Sequence, residues 1–114
     1  MNACPVRLTI EWRVTAAEAR AITEALHALM IAAQREQGYV NCSLSTELGK
    51  LATLNYREEW RTEDDLQREL STPRFAKVAE LIERASQRPT IQFHLAGVVR
   101  GLEYAEELLG RTRK

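Results

Sequence analysis

Glu58 occupies the position in this chain that most needs a chemical explanation. It stands in the alternating segment Leu54-Asn-Tyr56-Arg-Glu58-Glu-Trp60, on the same parity as Leu54, Tyr56 and Trp60. A carboxylate on an apolar parity must be paired, hydrogen-bonded or pushed toward its neutral form. Beside Tyr56 and Trp60 it makes a setting for a flat aromatic ligand, with the carboxylate placed to take a phenolic proton. Plainer readings stand next to that one. Glu58 can close a salt bridge or cap a backbone amide near the strand end, Trp60 can plug the junction, and a buried Tyr56 phenol needs only a hydrogen bond. The segment alone leaves both sets open.

Other chemistries find less support. His94 falls on the parity opposite the core and His27 on an outward helical flank, and neither has a thiol or carboxylate at metal-ligand spacing, so no metal site is expected. Cys4 and Cys42 supply no disulfide framework and read as reduced thiols, with Cys42 packed in the core. The glycines are scattered as Gly38, Gly49, Gly97, Gly101 and Gly110, which makes no phosphate-cradling loop. There is no nucleophile elbow or Cys–His constellation, and no nucleotide, flavin or nicotinamide cofactor is expected.

The elements that would position Glu58 follow from periodicity. Val6, Leu8, Ile10, Trp12 and Val14 alternate with polar residues, as in a half-buried strand. Thr15 and Glu18 have capping-box spacing, and Ile22, Leu26, Leu29, Met30 and Ala33 then share one helical face, with Gly38 the expected terminator. Strands are expected over Tyr39–Thr46 and Leu51–Trp60, joined by the turn Leu48-Gly49-Lys50. Thr62 and Asp65 open a short helix, and Thr72-Pro73 opens another whose stripe is Phe75, Val78, Ala79, Leu81 and Ile82. A fourth strand is expected over Thr90–Val99 and a last helix over Leu102–Leu109. The order predicts an α+β fold: a ferredoxin-like split βαβ with a four-stranded antiparallel sheet and helices on one face. The chain reads as one domain over 1–114, with a core about 6–99.

Parity divides the strands. Leu8, Ile10, Trp12, Cys42, Leu44, Leu54, Tyr56, Glu58, Trp60, Ile91, Phe93 and Leu95 face the helices. Thr9, Glu11, Arg13, Asn41, Ser43, Asn55, Arg57, Glu59, Gln92 and His94 form a polar outer face, which an antiparallel sheet tolerates.

The run from Glu58 to Phe75 resembles the antibiotic biosynthesis monooxygenase domain family. That family has a strand ending in Glu-x-Trp, a Ser or Thr, a short helix and a Ser/Thr-Pro-x-Phe step; here these are Glu58, Trp60, Thr62, Leu66, Thr72, Pro73 and Phe75. The resemblance implies a dimeric α/β barrel, in which two such sheets face each other in a homodimer. It also implies cofactor-independent oxygenation of a small aromatic ligand: a phenol, hydroquinone or polycyclic aromatic. The base would be Glu58 or Glu69, and the substrate wall Trp12, Tyr56, Trp60 and Phe93. Many members carry a histidine three residues after the Leu66 equivalent, where this chain has Glu69. The haem-degrading branch needs a tryptophan and an axial histidine at places held here by Glu69 and Ala79, so haem is not implied. The second reading is a non-catalytic dimeric ligand-binding or stress-associated module of the same fold.

Composition sets the outer bounds. Sixteen Lys and Arg balance sixteen Asp and Glu, so no net field invites nucleic acid or anionic lipid. No apolar run approaches the ~20 residues that span a bilayer. With no secretory signal visible, a cytoplasmic location is expected.

Overall fold

The structure, a computed structural model, describes residues 5–112. Cys4 lies outside the described residues. The elements run β1 (Val6–Val14), α1 (Ala16–Ala33), β2 (Tyr39–Leu48), β3 (Ala52–Trp60), α2 (Glu63–Leu70), α3 (Pro73–Arg84), β4 (Thr90–Leu95), β5 (Val98–Arg100) and α4 (Glu103–Thr112). The sheet order is β2-β3-β1-β4-β5, with every pairing antiparallel. β3 separates β1 from β2, and β1 separates β3 from β4. That interleaving is the split βαβ arrangement expected from the element order. The sheet is open, not closed into a barrel.

Register carries the parity argument into three dimensions. β1 pairs Leu8 with Glu58, Ile10 with Tyr56 and Trp12 with Leu54, while β2 sets Cys42 against Glu58 and Leu44 against Tyr56. All these side chains therefore share one face. Helix α1 buries Ile22, Leu26 and Leu29 there, and α3 buries Phe75, Val78 and Ile82. Trp12, Tyr56, Trp60 and Phe93 have no exposed surface at all. Trp12 Nε1 reaches the Leu81 carbonyl at 3.4 Å, close to the end of α3 where helix carbonyls lack internal partners.

Three helix starts hold as read. Thr15 and Glu18 make a full capping box, Thr62 Oγ1 accepts from the Asp65 amide at 3.1 Å, and Thr72 Oγ1 accepts from the Phe75 amide at 3.2 Å. Other boundaries move. Helix α1 stops at Ala33, ahead of Gly38, which instead closes the turn into β2 with φ +85°. Its carbonyl accepts from the Arg61 amide at 2.8 Å, and a Cβ there would lie 2.2 Å from Asp65 Cγ. The expected single strand over 90–99 is two strands, because Gly97 takes φ +74° and folds the chain back as β5. The sheet is thus five-stranded among the described residues, not four-stranded. The last helix runs Glu103–Thr112, longer than the 102–109 expected, and Tyr104 packs it onto Phe93 with ring centroids 5.0 Å apart.

Candidate functional site

The two carboxylates singled out in the sequence meet on one guanidinium. Strand β3 aims Tyr56, Glu58 and Trp60 toward the helices. The last turn of α2 brings Glu69 to the same place, and the first turn of α3 inserts Arg74. Arg74 Nη2 donates to Glu58 Oε2 at 2.7 Å and to Tyr56 Oη at 2.9 Å; Nη1 donates to Glu69 Oε2 at 2.8 Å. Nε donates to the Leu29 carbonyl at 2.7 Å, near the C-terminal end of α1. One side chain therefore ties α1, α2, α3 and β3 together.

Arg74 was not legible as a site residue. It sits between Thr72-Pro73 and Phe75, in the opening turn of an amphipathic helix, where an arginine ordinarily points into water. A cation there also opposes the positive helix end. The signal that could have found it is complementary: two carboxylates headed for the core require a cation, and Arg74 lies five residues beyond Glu69.

Glu58 is wholly enclosed and fully served. Tyr56 Oη donates to Oε2 and Trp60 Nε1 donates to Oε1 at 3.0 Å. With Arg74, each oxygen has a donor. The plain salt-bridge reading of Glu58 is therefore what the geometry contains. Glu69 is served unevenly. Its Oε2 accepts from Arg74 at 2.8 Å, with the Thr72 hydroxyl 3.2 Å away but closer to the Glu69 carbonyl at 2.7 Å, whereas no hydrogen bond among the described residues ends on Oε1. No fully enclosed side-chain oxygen or nitrogen among the described residues lacks a partner, so Oε1 keeps a small accessible patch. Glu69 is nonetheless only 2% exposed.

Electrostatics follow from these placements. Burial pushes the Glu69 carboxyl above the ordinary carboxylate range, against the pull of the Arg74 charge; Glu58 and Glu36 push it further up. Tyr56 is driven strongly upward, first by burial and then by the Glu58 charge, so its phenol stays protonated. Burial works against the Arg74 cation, but the Glu58 charge and the hydrogen bonds to Glu58 and Glu69 more than offset it and hold the charge in place. Cys42, whose Sγ lies 3.7 Å from Tyr56 Oη, is pushed up to about 11 by burial and by Glu58, so it is a neutral thiol.

The remaining expected residues fall elsewhere in the core. By register, Leu8 stands between Glu58 on β3 and Phe93 on β4, and Trp12 faces Leu54 rather than Glu58. Tyr56 and Trp60 adjoin the carboxylate; Trp12 and Phe93 do not hydrogen-bond or pair with it. Tyr39 packs edge-on against Trp60 at 6.2 Å. On the opposite side of the sheet, a depression of about 330 Å³ lies over Thr9, Glu11, Ser43, Asn55, Arg57 and Gln92. His94 faces that side, with Nε2 3.4 Å from Thr9 Oγ1, and its pKa is lowered by burial and by Arg7 and Arg57. His27 is exposed on α1. Among the described residues there is no group of His, Cys, Asp and Glu arranged to hold a metal, and no helix is long and apolar enough to cross a membrane.

Neither a family model nor a curated protein sequence matches this chain. Solved structures do. A candidate antibiotic biosynthesis monooxygenase from Deinococcus radiodurans superposes with a TM-score of 0.69 at 16% identity, over 85% of this chain and 97% of that one. SnoaB, a cofactor-independent oxygenase from Streptomyces nogalater, superposes with a TM-score of 0.67 at 20% identity, over 82% of this chain and 94% of its own. A conserved protein from Methanosarcina mazei gives 0.69 at 18% identity, over 80% and 91%. At these identities the likeness is one of architecture. The chain has the fold of the antibiotic biosynthesis monooxygenase domains.

Proposed function

We propose that this chain is a cofactor-independent monooxygenase acting on a phenolic, hydroquinone or polycyclic aromatic substrate, with Glu69 as the base. The observation that carries the reading is the unequal treatment of two neighbouring carboxylates. Glu58 has a donor on each oxygen and no exposed surface. Glu69 leaves Oε1 without a protein donor among the described residues and has a raised proton affinity, the property a base near neutral pH needs. The fold shared with SnoaB, a cofactor-independent oxygenase, supports the same reading. In this chemistry Glu69 takes the acidic proton of the substrate, and the resulting anion passes an electron to dioxygen. Recombination forms a peroxide; loss of water from it leaves one oxygen atom in the product as a carbonyl, with the substrate supplying all the electrons. Tyr56, Glu58 and Trp60 form the rigid wall behind the base, and the polar outer face meets the same face of a second copy in a homodimer.

A second reading has its own support. Glu58 is held in a closed network with Tyr56, Trp60 and Arg74 and has a donor on each oxygen, as in a structural ion pair, which suits a non-catalytic module. Oxygen uptake by metal-free protein with hydroquinones and polycyclic phenols separates the two. The oxygenase reading expects uptake above autoxidation that drops by about a hundredfold or more in Glu69→Gln, the usual scale of a lost general base. Absence of uptake, with the same compounds quenching tryptophan fluorescence, would instead establish the module.

A further inference from the structure

The guanidinium of Arg74 has more to do than neutralise a buried charge. It spends its Nη2 group on Glu58 and Tyr56 and its Nε on the Leu29 carbonyl, so its orientation is fixed from α1 and β3 before Glu69 is considered. What it offers Glu69 is a single Nη1–H, directed at Oε2 alone. The Thr72 hydroxyl, which also caps α3, lies 3.2 Å from that same oxygen but directs its one proton to the nearer Glu69 carbonyl at 2.7 Å. Arg74 thus holds the carboxylate by one oxygen and leaves the other without a protein donor among the described residues. Arg74 is 7% exposed and Glu69 2% exposed, so neither geometry is an accident of a mobile surface side chain.

We propose that Arg74 is the positioning residue of this site: it clamps Glu69 by Oε2, so that Oε1 is presented as the proton acceptor, and its charge, divided between Glu69 and Glu58, sets how readily that oxygen takes a proton. The inference rests on the oxygenase reading only for its catalytic consequence; the clamp and the divided charge stand on geometry. The charged and titratable groups around Glu69 are Arg74 from α3, Glu58 and Tyr56 from β3, Cys42 from β2, and Glu36 from the α1–β2 connection. Arg74 is the one cation in that set. Two of its neighbours compete for the same charge, and burial reinforces the competition.

The test is a titration of the Glu69 side-chain carboxyl carbon by NMR, run with the pH dependence of oxygen uptake, in the parent and three variants. Arg74→Gln removes the charge and should move the Glu69 midpoint upward by about 1–3 pH units, the range for losing an adjacent opposite charge. Arg74→Lys keeps the charge and should leave the midpoint near the parent value, yet lower turnover because a lysine lacks the fork that holds Oε2. Glu58→Gln frees the Arg74 charge for Glu69 and should move the midpoint downward, a result that holds even if Arg74→Gln does not fold. Opposite movements in Arg74→Gln and Glu58→Gln, with Arg74→Lys unmoved, establish the proposal. A Glu69 midpoint that ignores Glu58→Gln and any folded Arg74 variant overturns it. Midpoints that move as stated without oxygen uptake in any protein retain the clamp and discard the oxygenase.

Discussion

The two faces of β3 carry similar charges and use them in opposite ways. Outward, Arg57 and Glu59 lie among Thr9, Ser43 and Asn41, in reach of water, and β1 sets Arg7 directly across from Glu59. Inward, one residue along the same strand, Glu58 has no exposure and depends on Arg74, Tyr56 and Trp60. In the single chain water screens the first arrangement, so any member can be lost cheaply there. The second has no solvent to fall back on, so its members stand or fall together. Charge count says nothing about which is which; burial does.

The sharpest way to break that comparison is Arg74→Met. It leaves two enclosed carboxylates without their cation and should lower stability by about 3–5 kcal/mol, read from urea unfolding. Replacing Glu58, Arg74 and Glu69 together by apolar residues of similar size should recover most of the loss. If Arg74→Met alone is neutral, the inner network is not structurally coupled.

A smaller effect tests the packing that holds α2 over the network. Gly38→Ala puts a Cβ at φ +85° against the Asp65 side chain, which Thr62 and Arg68 already pin at 3.0 and 2.9 Å. A loss of about 2 kcal/mol, with the melting temperature as the readout, is expected from strain and contact together.

Proton linkage should distinguish the faces by sign. The raised Glu69 pKa means that the folded state holds that proton more firmly than the unfolded chain does. Its contribution is complete below the ordinary value of 4.5 and is lost as pH rises through the folded value. His94, on the outer side, runs the other way. Its folded pKa is lowered, so its contribution is present above 6.5 and fades as pH falls through the folded value. Unfolding curves of Glu69→Gln and His94→Asn against the parent should each flatten one of these slopes. Slopes unchanged in both would remove the electrostatic basis of the comparison.

Least affected should be Arg57→Ala. Monomer stability in this variant is expected to stay within error of the parent. A change that grows with protein concentration would instead mark Arg57 as part of the contact between copies.

How far the residues foretold this arrangement depends on the distance over which each signal acts. Strand β1 was legible to the residue, because Val6 to Val14 alternate without interruption and Thr15 then offers a cap. Glu58 was legible as an anomaly, since parity alone places it inward. Its partner was not, because Arg74 is 16 residues away and pairing across that gap exists only once α2 and α3 have folded back over β3. The β4–β5 turn was readable in principle, as an isolated glycine within a strand pattern often marks a break, and Gly97 provides it. Glu69 was singled out by its place in the family pattern; its attachment by one oxygen to Arg74 depends on how α2 and α3 fold together, which no spacing encodes.

The reach of Arg74 also has a kinetic meaning. Its hydrogen bonds span 5, 16, 18 and 45 residues of chain, from Glu69, Glu58, Tyr56 and Leu29 respectively. A contact set of that kind is complete only once three helices and a strand are in place, so it is expected late on the way to the native state. Removing it should leave the refolding rate nearly as it was and speed unfolding instead. Arg74 then acts less as a guide to the fold than as the bolt that keeps a finished fold from opening.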